Sequence, residues 1–380
     1  MTREGTTFAD EVRGAVTVRA ALLVTGVLVL QMLFIASYVG ALHSPRAKDV
    51  KVAVVAPQQI ADRLAAELRR LPGGPLDPRT LTDETTARRQ MLNRDIDAAL
   101  VVDPRSAQDT LLVASGQGST ETQLLLRIFG EVERQQQRSL AVDDVAPASG
   151  SDADGLSSFY LVVGWCVGGY LCAAILAISA GSRPANGRRA VIRLVVTGLY
   201  AVLSGLLGAV VAGPILGALP GSVLGLWGLG ALTVFAVGAA TLALQAVFGI
   251  VGIGLAILLI VVAGNPSAGG AFPLPLLPDF WRSIGPALPP GAGTWVARSI
   301  AYFHGNAVTG PLLVLSAWAV VGTALTLAMA VLRGKGRGPG LAPHEDTRPD
   351  TPDTPDTPDT PNTPDEPAAP GSPGGSSVAP

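Results

Sequence analysis

Residues 222–263 run for 42 positions without one Asp, Glu, Lys or Arg. As a helix rising 1.5 Å per residue this run is about 63 Å long, roughly two crossings of a bilayer core about 30 Å thick. The helical pattern breaks most naturally around Gln245 to Gly249. The shortage of charge extends on both sides: residues 158–332 hold six Arg and a single acid, Asp279. A soluble surface carries about a quarter to a third charged residues, so this region reads as a bundle of transmembrane helices rather than as a soluble domain. Residues 42–157 are the reverse, holding 14 of the 27 Lys and Arg and 17 of the 29 Asp and Glu.

The sequence predicts an α-helical polytopic membrane protein with six transmembrane helices. The expected spans are 20–41, 158–180, 190–212, 222–243, 248–263 and 311–332. The first is longer than the 7–15 apolar residues of a signal peptide, which points to an uncleaved anchor. Lys and Arg collect on the cytoplasmic side of short loops. The segments before span one (Arg3, Arg13, Arg19), after span two (Arg183, Arg188, Arg189) and after span six (Arg333, Lys335, Arg337) are basic, whereas the loop after span three carries no charge. An even number of spans with both termini cytoplasmic satisfies all three basic segments. Residues 42–157 and 264–310 then lie outside the plasma membrane. Arg outnumbers Lys 24 to 3, in keeping with a GC-rich bacterial genome.

Residues 42–157 have the pattern of a small α/β domain inserted between helices one and two. VKVAVV (50–55) reads as a buried strand, and 58–70 as a helix with Ile60, Leu64 and Leu68 on one face. A second helix over 82–93, strands over 95–102 and 110–115, and a helix from Ser119 or Thr120 to Gln137 follow. The predicted order is strand, helix, helix, strand, strand, helix. Asp95 and Asp97 share a strand face but read as a solvated strand end rather than as a catalytic pair. The three histidines lie in separate loops without ligand spacing. Cys166 and Cys172, six apart on one helix, face different ways and should not pair. No catalytic residue, cofactor or metal is predicted, and a net charge of −2 implies no nucleic-acid partner.

Apart from Arg193, near a helix end where it can snorkel, the span interiors hold no ionisable residue that would suit a proton- or sodium-coupled carrier. The sequence also has no G-x-x-x-x-G-K-[ST] phosphate loop. One span, an α/β domain and five further spans resemble the type 2 ABC exporter permeases, in particular the bacterial branch related to phage infection protein. VKVAVVAP (50–57), ARRQMLNRDIDAALVVDP (87–104) and GNPSAGGAFPLPLLPDFWRSIGPALPPGAG (264–293) carry the likeness, which covers most of residues 10–333. It implies a homodimer or paired half-permease bound by a separate ATP-binding cassette ATPase subunit and exporting an amphiphilic, drug-like, lipid or envelope substrate. Two segments fit the ATPase contact: the amphipathic N-terminal stretch with Phe8 and Val12, within residues 1–19, and the basic loop with Arg183, Arg188 and Arg189. The alternative is a non-transporting surface protein whose α/β domain binds a wall polymer or secretion partner.

Within 264–293, seven prolines and six glycines interrupt the helical pattern. The expectation is an outer lid of two short helices in the outer leaflet. Its residues are Asn265, Pro266, Gly269, Gly270, Pro278, Phe280, Trp281, Pro289 and Pro290, with Asp279 as N-cap and Trp295 and Tyr302 at the lipid interface. Residues 334–380, with Thr-Pro-Asp repeats, should form an extended cytoplasmic tail, because proline at every third position forbids helix and ladder pairing.

Overall fold

A computed structural model describes residues 17–336. Phe8, Val12 and the rest of the expected amphipathic stretch to residue 16, together with the repeat tail from 337, lie outside the described residues. The described chain is mostly helical, and five of its helices are long and apolar enough to cross a bilayer, consistent with a polytopic membrane protein.

Helix α1 (Val18–Leu42) starts at Thr17, whose Oγ1 accepts from the Ala20 amide. It leads into a five-stranded sheet. β1 (Val50–Val55), α2 (Gln58–Arg69), β2 (Leu76–Leu81), α3 (Glu84–Leu92), β3 (Ala98–Val101), β4 (Gln108–Val113), α4 (Ser119–Gln135) and β5 (Ser139–Asp144) follow in that order. The sheet order is β2-β1-β3-β4-β5, parallel except for the antiparallel β3–β4 pair. β2 and β5 were not expected from the sequence, and both are edge strands. LDPRTL carries Pro78, and SLAVDD ends in two aspartates, in keeping with the proline and charge that blunt sheet edges.

The two faces of the sheet have different partners. Val50, Val52, Val54, Leu100, Leu111 and Val113 pack under α2 and α4, against Leu64, Leu68, Leu125 and Phe129. Ile60, expected on that face, is 38% exposed. Ala53, Val55, Ala99 and Leu112 face α3, and with Met91 and Ile96 they join the cluster that runs on through Val162, Trp165 and Phe303. The domain therefore shares one core with the helices beneath it.

Those helices are α5 (Ser157–Ala180), α6 (Gly187–Val210), which runs on through a π turn at Val211–Ile215 around Pro214, α7 (Val223–Phe248) and α11 (Thr309–Gly336). α7 lies at the centre against α5, α6 and α11 and is mostly buried, whereas α1 is almost wholly exposed. α1 touches the bundle through the segment that follows α7, where Ser37 Oγ donates to the Val262 carbonyl. α7 ends at Gly249, whose φ of +67° is a conformation open to glycine, so the break falls where the sequence placed it. The next stretch, α8 (Val251–Ile257) with a π continuation Leu258–Gly264, is a shorter apolar helix reaching Ser267. Cys166 and Cys172 are both free.

One correction concerns charge. Arg193 does not snorkel: it is buried, and its guanidinium donates to the Ala180 and Gly181 carbonyls at 2.7 and 2.6 Å, closing the C-terminus of α5. α4 begins at Ser119, as expected, with Gly118 at its N-cap.

Candidate functional site

The prolines of 264–293 build a folded wall rather than a surface loop. After Ser267 the chain makes the short helix α9 (Asp279–Ile284) and then α10 (Pro289–Tyr302). α10 begins with Pro289 and Pro290 at its first positions, where a missing N–H costs nothing. It packs against α5, α7 and α11 with most of its residues buried, so it is a wedge in the bundle and not a helix lying at the lipid surface. Tyr302, expected at the interface, is buried, and its hydroxyl donates to Asp152 Oδ2 at 2.5 Å. Asp279 is the first residue of α9 rather than its N-cap. Its carboxylate instead takes Lys48 Nζ at 2.7 Å.

The other lid residues divide. Asn265, Pro266, Pro289 and Pro290 are buried. The carbonyls of Gly269 and Gly270 are held by Arg298 at 2.6 and 2.9 Å. Pro278 and Phe280 are exposed and Trp281 half-buried, with the Phe280 and Trp281 rings edge to face. Arg183, Arg188 and Arg189 are exposed at the far end of α5, away from this wall.

Between the wall and the α/β domain lies a cleft of about 740 Å³. Pro273, Leu274, Pro275, Pro286, Pro311 and Trp295 give it apolar sides, while Asp49, Lys51, Asp77, Arg94, Asp97, Arg282 and Arg298 bring charge. Polar contacts join the wall to the domain in and around it. Arg282 donates to the Lys48 carbonyl at 3.0 Å and pairs with Asp49 at 3.2 Å. The Lys48 amide donates to the Pro275 carbonyl, and Asn306 Nδ2 to the Leu92 carbonyl.

Arg94 is the deepest link. It sits in the turn after α3 at φ +60°, an uncommon conformation for a side-chain-bearing residue. The guanidinium lies 3.5 Å over the Trp295 ring and 4.8 Å from that of Phe303. It donates to the Trp295 carbonyl (2.9 Å), Ser299 Oγ (2.8 Å) and Gln117 Oε1 (3.1 Å). Burial, and then the Arg298 guanidinium, lower its pKa to about 9. Arg298 donates to the Gly155 carbonyl as well as to Gly269 and Gly270. The Nε–H groups of Arg94 and Arg298 have no acceptor among the described residues.

Asp97 corrects the reading of a solvated strand end. It accepts from the Lys51 amide at 2.9 Å and from Gln117 Nε2 at 3.3 Å, and burial raises its pKa; Asp95 is exposed and takes no part. Glu121, in the first turn of α4, is 3% exposed with Oε1 unpartnered. Burial, and then Asp97, hold it well above the ordinary carboxyl range. Neither Arg94 nor Arg298 stood out as a site residue from its local pattern. The one available signal was an arginine inside the apolar TWVARSIAYF.

Among the described residues no three His, Cys, Asp or Glu side chains converge on a metal position. No protein-family model, curated protein or solved structure matches the chain, so the cleft is read from its own chemistry.

Proposed function

We propose that the chain is the permease subunit of an ATP-driven exporter for an amphiphile, and that the cleft at the domain junction receives the cargo. The cleft is the observation that carries this reading. Its volume of about 740 Å³ suits a drug- or headgroup-sized molecule, and it combines apolar walls with a few convergent charges. In this reading α8 and its π continuation complete a sixth crossing, and the basic ends of the bundle face the cytoplasm. The α/β domain and the 264–310 wall then stand outside, with the cleft on the exit side. The sequence holds no phosphate loop, so ATP is hydrolysed by a separate subunit, for which the exposed arginines of 181–189 form a docking edge. The core shared between domain and bundle weighs against an independent adhesion module.

The test is reconstitution of the purified full-length protein with its co-purifying partner in liposomes. ATP-dependent movement of a fluorescent amphiphile, lost on Arg183→Glu with Arg188→Glu, supports the reading. Absence of any ATPase after mild detergent extraction, with no ATP-dependent transport, overturns it.

A further inference from the structure

The charges around the cleft do not cancel once their partners are assigned. Asp49 is taken by Arg282 and Asp77 by Arg79. Lys51, Arg94 and Arg298 then face Asp97 alone among the charged residues lining the cleft. Glu121 lies behind them rather than on the walls, and burial pushes its carboxyl well above the ordinary carboxyl range. Asp152, which also feels Arg298, is occupied by Tyr302 and the Ser157 amide. Two buried guanidiniums with unpaired Nε–H donors are costly in a protein interior unless negative charge is supplied nearby.

A cationic cargo would find no place here. Among the described residues Trp295 is the one aromatic side chain on the walls, and Arg94 already lies 3.5 Å from its ring centroid. A second cation would meet that guanidinium instead of an open ring.

We propose that the cleft binds an amphiphile bearing a single anionic headgroup, a carboxylate or phosphate, with the anion beside Lys51, Arg94 and Arg298 and the apolar part along Pro273, Leu274 and Pro311. This rests on the reading that the cleft receives cargo and names the class of that cargo. Lys51 is the contact to test, because it is exposed on β1 and its side chain carries none of the domain's packing.

The full-length protein in phosphatidylcholine nanodiscs, without nucleotide or ATPase, is titrated with decyl phosphate, decyltrimethylammonium, decyl maltoside and inorganic phosphate, with empty nanodiscs as blank. Decyl phosphate should bind saturably with one site, roughly tenfold or more tighter than the other two amphiphiles, as expected for one charge-assisted contact. Lys51→Gln should weaken it roughly tenfold, while Arg63→Gln, which does not line the cleft, leaves it unchanged. Inorganic phosphate should bind far more weakly, since it brings no apolar surface. Equal affinity for the cationic or neutral amphiphile, an unchanged affinity in Lys51→Gln, or inorganic phosphate matching decyl phosphate would each overturn the proposal. With no nucleotide present, failure here leaves ATP-driven export standing, and failure of transport leaves this binding standing.

Discussion

At the scale of residues, the junction turns on a few buried charges. Arg94→Lys keeps the charge but loses the planar fork that stacks on Trp295 and donates three ways. Its expected cost is about 2–4 kcal/mol, read as a lower thermal midpoint in nanodiscs with a shift in tryptophan emission. Glu133 makes a different prediction. It is buried at the end of α4 beside Asp109, which Arg138 grips at 2.5 and 2.6 Å. Burial, and then its bond to Asp109, raise its pKa from 4.5 to about 7. A carboxyl whose folded pKa lies above its unfolded value favours the fold while it is protonated, so its contribution fades as pH rises from 4.5 through about 7. Glu133→Gln should therefore flatten the fall in thermal midpoint between pH 5 and 8; an unchanged slope would show that Glu133 does not titrate there.

At the scale of elements, the parts legible in the sequence were those whose local pattern and burial agree. The long apolar helices, the interior strand VKVAVV and the break at Gly249 lie where the pattern puts them, because long uncharged runs, a β-branched apolar run and a positive-φ glycine leave the sequence little choice. The edge strands were illegible because an edge half-exposed to water needs no alternation. The start of α10 was illegible because Pro289 and Pro290 read equally as a stop and as a first turn. The cleft escaped for a related reason: its arginines come from segments some 200 positions apart, Arg94 and Arg298, and each alone looks like an ordinary surface charge. Helix packing gives a direct check. A Cβ on Gly322 of α11 would lie 2.6 Å from the Ala240 amide nitrogen of α7, whereas one on Gly228 of the same α7 meets nothing within 4 Å. Gly322→Ala should cost about 1–3 kcal/mol by forcing the two helices apart, and Gly228→Ala should be close to neutral in thermal unfolding.

At the scale of the whole molecule, domain and bundle are joined by two kinds of contact of unequal weight. The Lys48–Asp279 pair is 48% and 63% exposed, so Lys48→Gln should change stability by less than about 1 kcal/mol. The shared apolar core is the stronger tie, and it has a temporal side. Met91 and Ile96 belong to a cluster that also needs Tyr302 and Phe303. Those aromatic partners lie some 150 residues beyond the last strand, about 8–30 s of synthesis at 5–20 residues per second. During that interval the newborn domain holds a sheet with one face covered only by α3. A released chain ending at residue 150 should present a protease-sensitive domain, and one ending at residue 336 a resistant one. The order in which the chain is made thus leaves a window in which this half-covered sheet depends on whatever holds it from aggregating.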